Sequence, residues 1–158
     1  MGFGDWLIQL GMALGGHPPS SDDYPHPPAG PRLDIAGNEL REVLRTALGS
    51  EGDIYLADYH FWLCELEDIE RFLDWDETNH HNYTAEEYDC DDFAKRLWGQ
   101  LAVPDWSHFA FGLVWTDVHA MNILVDTNRD VWFIEPQTDA RRSSLLSWQG
   151  DVLRWLVV

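Results

Sequence analysis

The stretch Tyr88-Asp89-Cys90-Asp91-Asp92-Phe93-Ala94 decides how this chain reads. An acidic turn passes there into an amphipathic helix. Asp89 suits an N-cap, and Phe93, Ala94, Leu97, Trp98 and Leu101 recur on one face. The spacing predicts a helix from about Cys90 to Leu101, stopped by Pro104. Cys90 then stands at a helix N-terminus. Free backbone N–H groups and partial positive charge there favour a thiolate and offer an N–H to an oxyanion.

Downstream the pattern becomes β-prone over 109–115, 119–125 and 131–137, with Asp126-Thr127-Asn128-Arg129-Asp130 as turn material. The last two runs are expected to form an antiparallel hairpin in which His119 opens one strand and Glu135 closes the next. A thiol on a helix end, an imidazole and a carboxylate on neighbouring strands make a nucleophile, a base and an orienting group. Cys90, His119 and Glu135 are therefore the candidate catalytic residues.

The acids beside the thiol oppose this chemistry. One negative charge ~6 Å away, at an effective dielectric of ~20, costs the thiolate roughly 3 kcal/mol. That exceeds the helix-end effect of ~0.3–1 kcal/mol. A cation would relieve it. Glu135, Gln137 and Asp139 alternate and would share one side of a strand. Gln137 and Asp139 would then meet Asp91 and Asp92 around a hard divalent ion, and an all-oxygen set favours calcium over zinc.

The segments Tyr88–Ala94, His-Ala-Met-Asn-Ile (119–123) and Ile-Glu-Pro-Gln-Thr-Asp (134–139) resemble the papain-like C-terminal domain of Marasmius oreades agglutinin. Small phage and bacterial proteins are related to it. The resemblance covers about residues 53 to 140. It implies an α+β papain-like fold, with the nucleophile-bearing helix packed on an antiparallel sheet. It also implies a calcium-dependent cysteine peptidase acting on a peptide or protein substrate. By motif, Cys90 is the nucleophile, His119 the base and Glu135 the third member, with Asp91, Asp92, Gln137 and Asp139 as calcium ligands. No β-trefoil repeat matches the agglutinin's sugar-binding module. A second reading is a non-catalytic calcium-binding interaction or structural module, viral or bacterial, that keeps the ion and not the chemistry.

Bulk properties bound both readings. The 158 residues are 45% hydrophobic and 13% aromatic with nine Trp, enough for a packed core. Net charge is −18, from 28 acidic against 10 basic residues, and Lys95 is the single lysine. Phosphate binding needs a basic face, so nucleic acid and anionic membranes are poor partners. The acidity suits a cation-binding protein and equally a halophilic surface. Cys64 and Cys90 make no disulfide framework, and no apolar run spans a bilayer. A soluble, cytoplasmic protein, virus-encoded in one reading, is the expectation.

Residues 1–50 read as a helical and proline-rich segment and 51–158 as the papain-like unit. Trp6, Leu7, Leu10, Ala13 and Leu14 have helical spacing, six prolines follow between His17 and Pro31, and a second helix ends at Gly49. Leu66, Ile69, Phe72 and Leu73 predict another helix. Residues 143–158 return as a helix or a strand. Gly112 marks a bulge or a close backbone approach.

Overall fold

A computed structural model describes residues 25–49, 51–145 and 152–158. The expected helix at Trp6–Leu14 lies outside them. In chain order the elements are β1 (Leu33–Ala36), α1 (Gly37–Leu48), β2 (Asp53–Tyr55), β3 (His60–Leu63), α2 (Leu66–Trp75), a 3-10 turn (Thr78–His80) and α3 (Cys90–Gln100). Then come β4 (Phe111–Thr116), β5 (Ala120–Val125), β6 (Val131–Glu135), β7 (Ala140–Arg142) and β8 (Leu153–Val157).

Six strands form one sheet in the order β2-β8-β4-β5-β6-β7, while β1 and β3 pair separately. The expectation of a papain-like helix on an antiparallel sheet is corrected here. The sheet is mixed, because β2 runs parallel to β8 with Asp53 opposite Trp155. Among the described residues strands outnumber helices, and Leu153–Val157 form a strand between β2 and β4. Parallel pairing of segments so far apart leaves no local periodicity to read.

The middle of the sheet is covered on both faces. Every residue of β5 is buried, which is why that stretch reads as unbroken apolar sequence around one Asn. Met121, Ile123 and Val125 pack with Leu40 and Leu44 of α1. On the opposite face Leu124 and Ile134 join Ile69, Phe72 and Leu97 from α2 and α3. Ala94 of α3 meets Leu113 and Ala120.

The β5–β6 hairpin forms as the turn residues predict. Asp126, 2% exposed, accepts the Asn128 and Asp130 N–H groups on Oδ1 at 2.8 and 3.0 Å, and the Trp132 indole N–H on Oδ2 at 2.9 Å. A buried carboxylate tolerates that environment because both of its oxygens accept hydrogen bonds. Helix α1 ends at Gly49 with φ +81°, the left-handed conformation glycine accepts without strain.

Gly112 is a close approach. A Cβ there would lie 2.0 Å from the Val157 carbonyl oxygen on β8. Gly112→Ala should force β4 and β8 apart and cost ~3 kcal/mol or more, read from urea unfolding.

Candidate functional site

Asp89 caps α3. Its side chain accepts the Asp91 N–H at 3.4 Å, and Asp92 Oδ2 accepts the Asp89 N–H at 3.3 Å, a reciprocal capping box. This sets Cys90 at the first turn, half-buried, and packs it against the cluster of Ala94, Leu113 and Ala120. The Ala120 N–H donates to the Cys90 sulfur.

His119 falls just outside β5, in the turn that closes the β4–β5 hairpin. Thr116 Oγ1 accepts the His119 N–H at 2.9 Å, and the His119 carbonyl accepts the Thr116 N–H at 2.8 Å. The imidazole reaches across to β6, with Nε2 2.6 Å from Glu135 Oε2. Both side chains are largely covered, at 20% and 13% exposure. The other Glu135 oxygen accepts the Gln137 N–H at 3.2 Å. The structure thus joins His119 to Glu135 and places Cys90 against the residue that follows His119.

Burial pushes the Cys90 thiol above its ordinary value of 9.0. The Ala120 N–H pulls it down, and Asp89 and Asp91 push it up further. Charge repulsion acts in the expected direction, but desolvation outweighs it. Cys64 is fully buried and free, with its thiol pushed up to about 12 by burial and then by Asp68.

The acids divide into two groups. Oxygens of Asp89, Asp91 and Asp92 lie within 4.8 Å of one another. Lys95 already pairs with Asp91 and, at 3.3 Å, with Asp92. The alternation argued for Glu135, Gln137 and Asp139 fails because β6 ends at Glu135 and Pro136–Asp139 is a turn. Asp139 sits there at φ +58°, its N–H donating to the Glu135 carbonyl at 2.8 Å. Its carboxylate accepts from Asn79 Nδ2. Burial, then repulsion by Asp76 and Asp74, pushes that carboxyl up to about 6.

Sequence reasoning missed Asp76, Thr78 and Asn79. Asp76 follows α2 and is 4% exposed; Oδ2 accepts the Thr78 N–H at 2.8 Å, while Oδ1 has no partner. Thr78 Oγ1 and Asn79 Oδ1 are buried and likewise unpartnered. The Asp-x-Thr-Asn run signals a turn. Nothing in it signals three idle oxygens.

A separate shallow cavity of about 320 Å³ lies at the start of α1, lined by Asn38, Arg41, Leu56, Asp58 and Tyr59. Tyr59 is 91% exposed. Arg41 donates from its guanidinium to the Ile54 carbonyl at 2.7 Å.

No family model and no curated protein matches this chain. Among solved structures it is similar to a PSL1a–E64 complex, with TM-score 0.68 and 22% identity over 80% of this chain and 51% of that one. It is also similar to Polyporus squamosus lectin bound to the human-type influenza-binding epitope Neu5Aca2-6Galb1-4GlcNAc, with TM-score 0.66 and 21% identity over 80% and 50%. The chain spans about half the length of each. At that identity the likeness is one of fold. The resemblance to the papain-like agglutinin domain is corrected: the structures sharing this fold carry a lectin's name. The calcium-dependent cysteine hydrolase, its peptide substrate and the phage and halophile assignments draw no support from them. Among the described residues no helix is long and apolar enough to cross a membrane.

The Asp139 carboxyl binds its proton more tightly in the fold than its ordinary value of 3.8 allows. Its charged form therefore costs stability above about pH 6, progressively less as pH falls toward 3.8, and nothing below. The group is only half-buried, so screening reduces the cost to ~1 kcal/mol. In metal-free buffer Asp139→Asn should be more stable than wild type by ~1 kcal/mol at pH 7.5, with the difference gone near pH 4, measured by denaturant unfolding.

Proposed function

We propose that the chain is a non-catalytic binding module whose ligand is an uncharged carbohydrate, held in the cavity beside Tyr59. The observation that carries this reading is the shared fold: over 80% of its length the chain follows structures of a lectin. One of those is described with a bound glycan.

The chemistry of the cavity agrees with it. An exposed aromatic ring offers a flat apolar face to sugar C–H groups, while the Asn38 amide and Asp58 carboxylate suit hydroxyl groups. Arg41 gives one guanidinium nitrogen to the Ile54 carbonyl and remains a charged donor at the cavity edge. A net charge of −18 repels sialylated glycans and leaves neutral ones unaffected. Half-buried Cys90, beside the Ala94, Leu113 and Ala120 cluster, serves packing in this reading.

The test is an array of neutral and sialylated glycans, followed by calorimetry on the best ligand. Neutral glycans should bind, and Tyr59→Ala should weaken them at least ~10-fold with an unchanged circular dichroism spectrum. Failure to bind any glycan would overturn the reading. So would cleavage of a peptide library, with or without Ca²⁺, that disappears in Cys90→Ala, or an E64 adduct on Cys90 that is lost in His119→Ala.

A further inference from the structure

The groove between the end of α3 and the start of β4 shares no lining residue with the Tyr59 cavity. It encloses about 360 Å³ and is walled by Trp98, Gly99, Leu101, Trp106, Phe109 and Phe111. Helical spacing predicts an inward Trp98 beside Leu97 and Leu101, but those two are buried while Trp98 is 36% exposed. Gly99 adds a notch next to it. A Cβ there would meet nothing within 4 Å. Glycine inside a helix costs stability relative to alanine, and no neighbour among the described residues needs the room it leaves. Such a notch suits a second backbone brought close to α3.

The chain itself supplies a candidate for that place. Pro25 is buried, and the Trp106 indole N–H donates to the His26 carbonyl at 3.1 Å. Asp68 accepts the Ala29 and Gly30 N–H groups, and Arg32 pairs with Asp105 at 3.2 Å. The entry segment is thus pinned beside the groove, on a residue that forms its wall. Ahead of it in the chain, Trp6, Leu7, Leu10, Ala13 and Leu14 make an apolar stripe at helical spacing, with Asp5 and Gln9 off the stripe. Twelve positions separate Leu14 from His26, and an extended chain covers ~3.5 Å per residue, so reach does not limit the contact.

We propose that residues 3–14 of this chain dock in the groove as a helix, with the apolar stripe on Trp98 and Leu101 and the backbone closest at Gly99. A lone helix of that length is marginal in water, so the stripe needs a cover. The groove takes side chains pressed in from above, which is what one helix face offers. A second copy carries the same stripe, but two chains of net charge −18 repel one another. A segment tethered at His26 is already present at an effective concentration on the order of millimolar.

Hydrogen exchange of the full chain, read by mass spectrometry, tests this without any glycan. Amides 6–14 should exchange at least ~10-fold slower than in a free peptide of the same sequence, equally at about 2 µM and about 100 µM protein. Gly99→Arg fills the notch without reaching the core and should return those amides to the free-peptide rate, while β5 stays protected as in wild type. Leu10→Asp should do the same from the other side of the contact. Each variant should lower the melting temperature, and the double variant should lower it no further than the worse single one. Unprotected amides at 6–14 in the wild type would overturn the proposal. Protection that persists in Gly99→Arg would overturn it by moving the segment to another surface. Protection that grows with protein concentration would overturn it by giving the groove to a second copy.

Discussion

Asn122 is the point on which the arrangement of helix and sheet depends. Its side chain is wholly buried in the middle of β5, and its amide donates to the Ala94 carbonyl on α3 at 3.0 Å and to the Gly112 carbonyl on β4 at 3.1 Å. An amide in that position costs several kcal/mol if unbonded, so α3 and β4 are held at one distance and one register. The first turn of α3, with Cys90 and its capping acids, lies one turn away from Ala94. The placement of Cys90 against Ala120 thus follows from a hydrogen bond that neither residue makes.

The large excess of acids is managed in two ways. Some carboxylates replace missing backbone partners: Asp68, 1% exposed, accepts the Ala29 N–H at 2.8 Å and the Gly30 N–H at 3.2 Å, fixing the entry segment to α2. Asp126 does the same for the β5–β6 turn, and Asp89 for the start of α3. Others are neutralised by scarce cations, as Lys95 does for Asp91 and Asp92. Asp76 caps the Thr78 N–H in the same way, while at Asp139 the repulsion by Asp76 and Asp74 is opposed by His80 and Arg141.

What could be read from the chain was local. The helix around Ile69 and Phe72, the Gly49 stop, the Asp89 cap and the Asp126–Asp130 turn rest on neighbours within a few positions, and they stand where the spacing puts them. His119 and Glu135 also meet, because a hairpin register follows from its turn. The end of β6 was misread: Pro136 lacks an N–H for the ladder, and Asp139 in the left-handed region turns the chain, so alternation stops at Glu135. Nonlocal features were beyond reach. Neither the parallel contact of β2 with β8 nor the idle oxygens at 76–79 leave a trace in residue spacing. The papain-like reading rested on three short motifs, and motifs describe a neighbourhood while sheet order describes the whole.

The position of β8 has a consequence for how the molecule is made. A strand from the end of the chain lies inside the sheet, flanked by β2 from its beginning and β4 from its middle. During translation β4 must therefore wait with one edge open until Leu153–Val157 have cleared the ribosome, and among the described residues β2 has no strand partner until then. The nascent protein passes through a stage with a greasy seam on display, a moment at which a chaperone or a stray sheet edge could claim it.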